Sequence, residues 1–153
     1  MIKKKGVAIV VTVLMVSMVT GCFGGTKTLT CTEHTEDSGI PTEQKMVLKT
    51  KRNAIQQMTI SVDMDVSKQQ ESVRTAAYEA LKKAYESYNA TGVEASVKQK
   101  DNNLVVLLEL DFAKASEADI QKFMPKYDAN KKTIDVKKYQ KQMEDDGLTC
   151  KNS

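Results

Sequence analysis

The side chains of this sequence that could do chemistry are few. His34, the one histidine of the chain, stands in the run Glu33-His34-Thr35-Glu36-Asp37. An imidazole among carboxylates has the donor types that bind zinc or a similar divalent ion. A closed structural site needs four well-placed ligands, and a polar run of this composition reads equally as a solvated segment. Asp63 and Asp65 alternate along a strand pattern and would share its exposed face about 7 Å apart, a distance at which paired carboxylates can hydrolyse glycosides. That reaction also needs a cleft and one carboxyl with a raised pKa, which an open strand face does not supply. Asp128, Asn130 and Asp135 have the start of a calcium loop, but Thr133 stands where the loop needs Gly and no Glu closes it. Asn89-Ala90-Thr91 has the form of a glycosylation sequon. No Ser-His-Asp ordering, P-loop or glycine-rich dinucleotide turn occurs, so no catalytic residue, metal or cofactor is assigned.

The chain also holds three cysteines, and the first of them lies in a recognisable setting. Lys3, Lys4 and Lys5 form a positive start. The uncharged stretch from Gly6 to Thr20 follows, and at ~15 residues it is shorter than the ~20 that span a bilayer as a helix. Val19-Thr20-Gly21-Cys22 then resembles a lipobox, in which an aliphatic residue, a small residue and Gly precede the Cys. The resemblance implies that the Cys22 thiol receives a diacylglycerol and that cleavage before it makes Cys22 the new N-terminus. Residues 1–21 then read as a lipoprotein signal peptide, 22–26 as the lipidated Cys with a short tether, and 27–153 as one extracytoplasmic domain. Two acyl chains make a stable anchor where one is marginal, since each buried methylene contributes about 0.8 kcal/mol. The expected place is the membrane face outside the cytoplasm, at the cell surface or in the periplasm.

With Cys22 assigned to lipid, Cys31 and Cys150 remain as an even pair in an oxidising compartment, where a disulfide is the natural reading. Neither has a CxxC partner, which argues against a redox or metal-binding thiol pair. Both sit in strand-like contexts, Leu29-Thr30-Cys31 and Leu148-Thr149-Cys150, so the first and last strands are expected side by side. Closing a loop of ~120 residues would stabilise the fold by about 5 kcal/mol in the chain-entropy model.

The charges narrow the partners. The chain has 23 Lys and Arg against 20 Asp and Glu, and Lys3, Lys4 and Lys5 account for the whole excess. From Cys22 onward the charges balance, which leaves no basic footprint for nucleic acid. The segment holds roughly 130 residues, enough for one core.

The periodicities supply the elements. Glu33 to Pro41 reads as a polar segment ending in the turn Ser38-Gly39-Ile40-Pro41. Met46 and Leu48 suggest a short strand, and Lys51-Arg52-Asn53 a hairpin break. Met58, Ile60, Val62, Met64 and Val66 alternate with polar residues, the pattern of a half-buried strand. Ser67 and Gln70 fit a capping box for a helix of about six turns with an apolar stripe through Val73, Ala76, Ala77, Ala80, Leu81, Ala84, Tyr85 and Tyr88. A second hairpin follows from Val93 to Phe112, turning at Asp101-Asn102-Asn103. Ser116 and Asp135 should cap two short helices, and Gly147 should release the chain into the Cys150 strand. The predicted fold is α+β: an antiparallel sheet of about five or six strands, one long helix packed across one face, and two short C-terminal helices.

With these elements placed, the chain resembles the YehR-like family of small bacterial lipoproteins. The features that carry the resemblance are the lipobox, Thr28-Leu29-Thr30-Cys31-Thr32, the long helix ending in Ser87-Tyr88-Asn89, and Gly147-Leu148-Thr149-Cys150-Lys151. The resemblance implies a compact α+β lipoprotein and transfers only Cys22, Cys31 and Cys150. The expected function is a membrane-anchored, monomeric, non-enzymatic binding or interaction module of unknown ligand, of a kind that would serve an envelope protein complex. The alternative is a metal-binding protein or hydrolase that uses the acidic and histidine segment.

Overall fold

The computed structural model describes residues 25–125, 127, 130 and 135–153. Six strands form one sheet in the order β4-β5-β3-β2-β1-β6. They are β1 Thr26–Asp37, β2 Ile40–Lys51, β3 Ala54–Asp65, β4 Val93–Lys100, β5 Asn103–Asp111 and β6 Thr149–Asn152. Every pairing is antiparallel. Helices α1 (Glu71–Glu86), α2 (Glu117–Phe123) and α3 (Val136–Asp145) complete an α+β fold.

The core follows from the register. Leu29 pairs with Leu48, Leu48 with Met58, Met58 with Leu110, and Leu110 with Val93, and none of these five is more than 1% exposed. They form one apolar row straight across the sheet, each side chain contributing about 1.5–3 kcal/mol by leaving water. A parallel row runs Cys31, Met46, Ile60, Leu108 and Ala95. Tyr85 of α1, Phe123 of α2, and Val136, Tyr139 and Met143 of α3 pack against this cluster. Ile55 and Met58, three apart in β3, are both buried because the register slips between Lys49 and Thr50. A bulge of this kind resets which residues face the core.

Two hairpins turn on residue pairs with positive φ, Ser38 (53°) with Gly39 (75°) and Arg52 (52°) with Asn53 (63°). Both torsions positive is the type I′ turn, whose twist matches that of the flanking strands. The first hairpin corrects the sequence reading. Glu33 to Asp37 is not a loop but the outer half of β1, paired residue for residue with β2 from Glu33↔Gln44 to Asp37↔Ile40. This end of the β1–β2 pair lies past the core, although Leu104 in the same row of β5 is buried, so neither face selects apolar side chains here and no alternation marks the strand.

Helix α1 is shorter than its apolar pattern suggests: 16 residues, roughly four and a half turns. The expected capping box does not form. Asp65 Oδ1 accepts the Ser67 N–H at 2.9 Å, and the helix starts later, with Gln70 as an N-cap that makes no side-chain bond. The half-buried stripe is narrower too, Arg74, Ala77, Tyr78, Leu81 and Tyr85, while Val73 and Tyr88 are exposed. The helix lies against β4 and buries none of its residues fully. Beyond its end, Tyr88 meets the Phe123 ring edge-on at 5.5 Å, tying α1 to α2. The two short helices begin as expected. Ser116 Oγ accepts from the Asp119 N–H, and the Asp135 carboxylate accepts from the Lys138 N–H at 3.1 Å.

Candidate functional site

Alternation along the strands puts a second set of residues on the side of the sheet away from the core cluster. Across it run Thr30, Val47, Thr59, Glu109 and Glu94, then Thr32, Lys45, Ser61, Leu107 and Ser96, then His34, Glu43, Asp63, Val105 and Lys98. Every one of these is half-buried or exposed. The helix side chains that meet the core cluster do so from the opposite side, so among the described residues this face carries no covering element.

The register brings two stretches of the sequence together here. His34 pairs with Glu43, and Glu43 with Asp63. A depression of about 280 Å³ at this end is lined by His34, Glu43, Asp63, Asp65 and Asn103 among others. Thus the histidine segment and the paired aspartates, remote in sequence, share one surface. His34 Nδ1 lies 3.7 Å from Glu43 Oε2. The Asn103 side-chain amide donates to Asp63 Oδ1 at 2.6 Å. Nothing in the sequence marks Glu43, and Asn103 reads there only as a turn residue; the signal for their place in this depression exists only in the strand register.

The same geometry breaks up the acidic run. Because Glu33 to Asp37 is extended, His34 and Glu36 project to one side while Glu33, Thr35 and Asp37 project to the other. Among the described residues no group of three or more His, Cys, Asp and Glu gathers closely enough to hold a metal ion. Asp65 is held below the ordinary carboxylate range by hydrogen bonds from the Ser67 hydroxyl and N–H. That direction is opposite to what a general acid requires. Asp135 serves as the cap of α3, and Asp128 and Thr133 of the calcium-like stretch lie outside the described residues.

At the other end of β1, Cys31 and Cys150 face each other across the β1–β6 pairing and form a disulfide, with Cα atoms 4.0 Å apart. Thr28 and Ser153 exchange both backbone hydrogen bonds, at 2.8 and 2.9 Å, so Cys31 and Cys150 fall on the close, non-hydrogen-bonded pair of the ladder. The first and last strands are therefore neighbours, as their sequences suggested. Cys22 and the signal segment lie outside the described residues. No described helix is long and apolar enough to cross a membrane.

No protein-family model and no curated protein matches the sequence. Two solved structures are similar in fold. The NMR structure of E. coli YehR superposes with a TM-score of 0.52 at 16% identity, covering 79% of this chain and 88% of that one. The NMR structure of a protein from Streptococcus pneumoniae TIGR4 superposes with a TM-score of 0.57 at 14% identity, covering 98% of this chain and 99% of that one. This chain thus has a YehR-like fold.

Proposed function

We propose that this protein is a membrane-tethered extracytoplasmic binding module without catalytic activity, whose docking surface is the uncovered face of the sheet. The observation that carries the reading is the one-sided architecture. Tyr85, Ile120, Phe123, Tyr139 and Met143 come from all three helices to the core cluster, while Val47, Thr59, Ser61, Val105 and Leu107 stay half-buried on the other side. Mixed small and β-branched side chains on a broad, shallow surface suit a protein partner better than a small substrate, which favours a concave pocket. The lipobox-like sequence supplies the tether, and the Cys31–Cys150 disulfide accords with an oxidising compartment. In this reading the long helix shields the β4 side of the apolar face, and the mature protein acts as a monomer.

Site-specific photocrosslinking of the full chain in its native membranes tests the docking face. A crosslinker at Thr59 or Leu107 should give a discrete adduct with an envelope protein, and one at Glu79 on α1 should not. Equal adduct patterns at all three positions would refute the assignment of the face. A second reading, metal binding, rests on the sequence alone: His34, Glu43 and Asp63 share a row across the sheet, but among the described residues they do not gather closely enough to hold an ion. Calorimetry with zinc separates the two: micromolar binding abolished by His34→Ala would support the metal site, and no heat would leave the protein-docking surface alone.

A further inference from the structure

The chain enters the fold at Thr26 beside the β2–β3 hairpin, since Thr26 pairs with Lys51 and Lys51 with Ala54. The C-terminal strand ends at the same corner, with Leu29 opposite Asn152. Around this corner stand Lys27, Lys49, Lys51, Arg52 and Lys151, all exposed. Among the described residues none of them is paired with a carboxylate; Lys49 makes only a 3.5 Å bond to the neutral Gln57 amide oxygen. The acidic groups at this end of the sheet gather instead on the β4–β5 side. There Glu94 and Glu109 are cross-strand neighbours, and Asp111 is engaged by Lys114 at 3.1 Å. The corner where the chain enters thus gathers five basic side chains in a domain whose charges balance overall, with Lys49, Lys51 and Lys151 on the uncovered side of the sheet and Lys27 on the other, and Lys49 bordering a depression that Glu94, Glu109 and Asp111 also line.

Resting on the tether reading, we propose that this basic corner docks on the anionic lipid headgroups of the membrane that holds the protein. From Cys22 to Thr26 a fully extended backbone spans about 14 Å, so the patch is held near the Debye length of about 10 Å in dilute salt, within reach of the surface potential. The tether raises the local concentration of headgroups, so a handful of individually weak contacts suffices to orient the domain. Docking at this corner turns the β1–β2 turn and the His34 end of the bare face away from the bilayer.

Lysine footprinting of the full chain reconstituted in vesicles tests this. In phosphatidylcholine vesicles containing phosphatidylglycerol, Lys27, Lys49, Lys51 and Lys151 should be protected from acetylation several-fold relative to phosphatidylcholine alone. High salt should remove that protection, and Lys98 and Lys100 at the far end should react alike in both. In the variant Lys49→Glu, Lys51→Glu, Arg52→Glu, the remaining Lys27 and Lys151 should lose their protection. The same digest reports the mass of the Cys22 peptide. Acylated protein with equal lysine reactivity in both vesicles overturns the docking while leaving the tether intact. A Cys22 peptide without lipid, with protein that fails to float with vesicles, overturns the tether reading and the docking with it. Protection produced in neutral vesicles by soluble glycerol phosphate would overturn the lipid surface as the occupant.

Discussion

Asn89 does more for the sheet than its place after a helix suggests. Its side-chain oxygen accepts the Ala95 N–H at 2.7 Å and its amide donates to the Ala95 carbonyl at 3.2 Å, filling the slot an added strand would take on the outer edge of β4. Val93 is closed off in the same way by Ala90, through two backbone bonds. An exposed strand edge is a template for association, and natural sheets blunt it. Asn89→Ala should therefore lower stability by about 1–3 kcal/mol and promote self-association, read by denaturant titration and by light scattering. Gly92 is constrained for a different reason. Its φ is +77°, and a Cβ there would collide with the backbone of Lys114 and Ala115. Gly92→Ala should cost at least about 2 kcal/mol through strain and displacement of that turn, measured by the same titration. Nothing in the sequence around Asn89 marks it as an edge plug, because its partner is defined by where β4 lies. A glycine after a helix reads as a stop, but the crowding of Gly92 against the 111–115 turn is visible only in the fold.

Among the elements, α2 and the β1–β6 pair have separable roles. In α2 the Asp119 carboxylate is held below its usual range by the Lys122 ammonium and the Ser116 hydroxyl. The turns at Asp65 and Asp111 lower those carboxyls likewise, through Ser67 and through the Ala113 N–H and Lys114. A depressed folded pKa contributes stability that is present above the unfolded value, about 3.9, and is lost as pH falls through the folded value. Unfolding midpoints in urea should thus be level from neutral pH to the ordinary carboxylate range and fall below it, with Asp119→Asn reducing the fall. The strands and helices that alternate or carry caps were legible: β3, β4, β5 and the starts of α2 and α3 lie where period and cap residues placed them. The outer half of β1 and the true start of α1 were not. In the first, backbone pairing alone holds a polar strand, and in the second, Asp65 takes the Ser67 N–H before the helix can.

For the whole molecule the disulfide dominates. It joins residues 119 apart in sequence and ties the sheet's shortest strand, β6, to β1. Reduction, or the pair Cys31→Ala and Cys150→Ala, should lower the unfolding free energy by about 2–5 kcal/mol, checked by denaturant titration with and without reductant. Thiol labelling of the oxidised domain should find neither cysteine free. The pairing was legible because the two cysteines sit in matching strand contexts. The convergence of His34 with Glu43, Asp63 and Asp65 was not, since it depends on three strands in register. The covalent ring closed by Cys31 and Cys150 also bears on how the protein survives damage. It encloses the β1–β2 turn, the β2–β3 hairpin and all three helices, so one backbone cut at Arg52 splits the chain without releasing either part. The nicked protein would run as one species in non-reducing electrophoresis and as two after reduction, and whatever sits on its surface would stay attached to whatever holds its N-terminus.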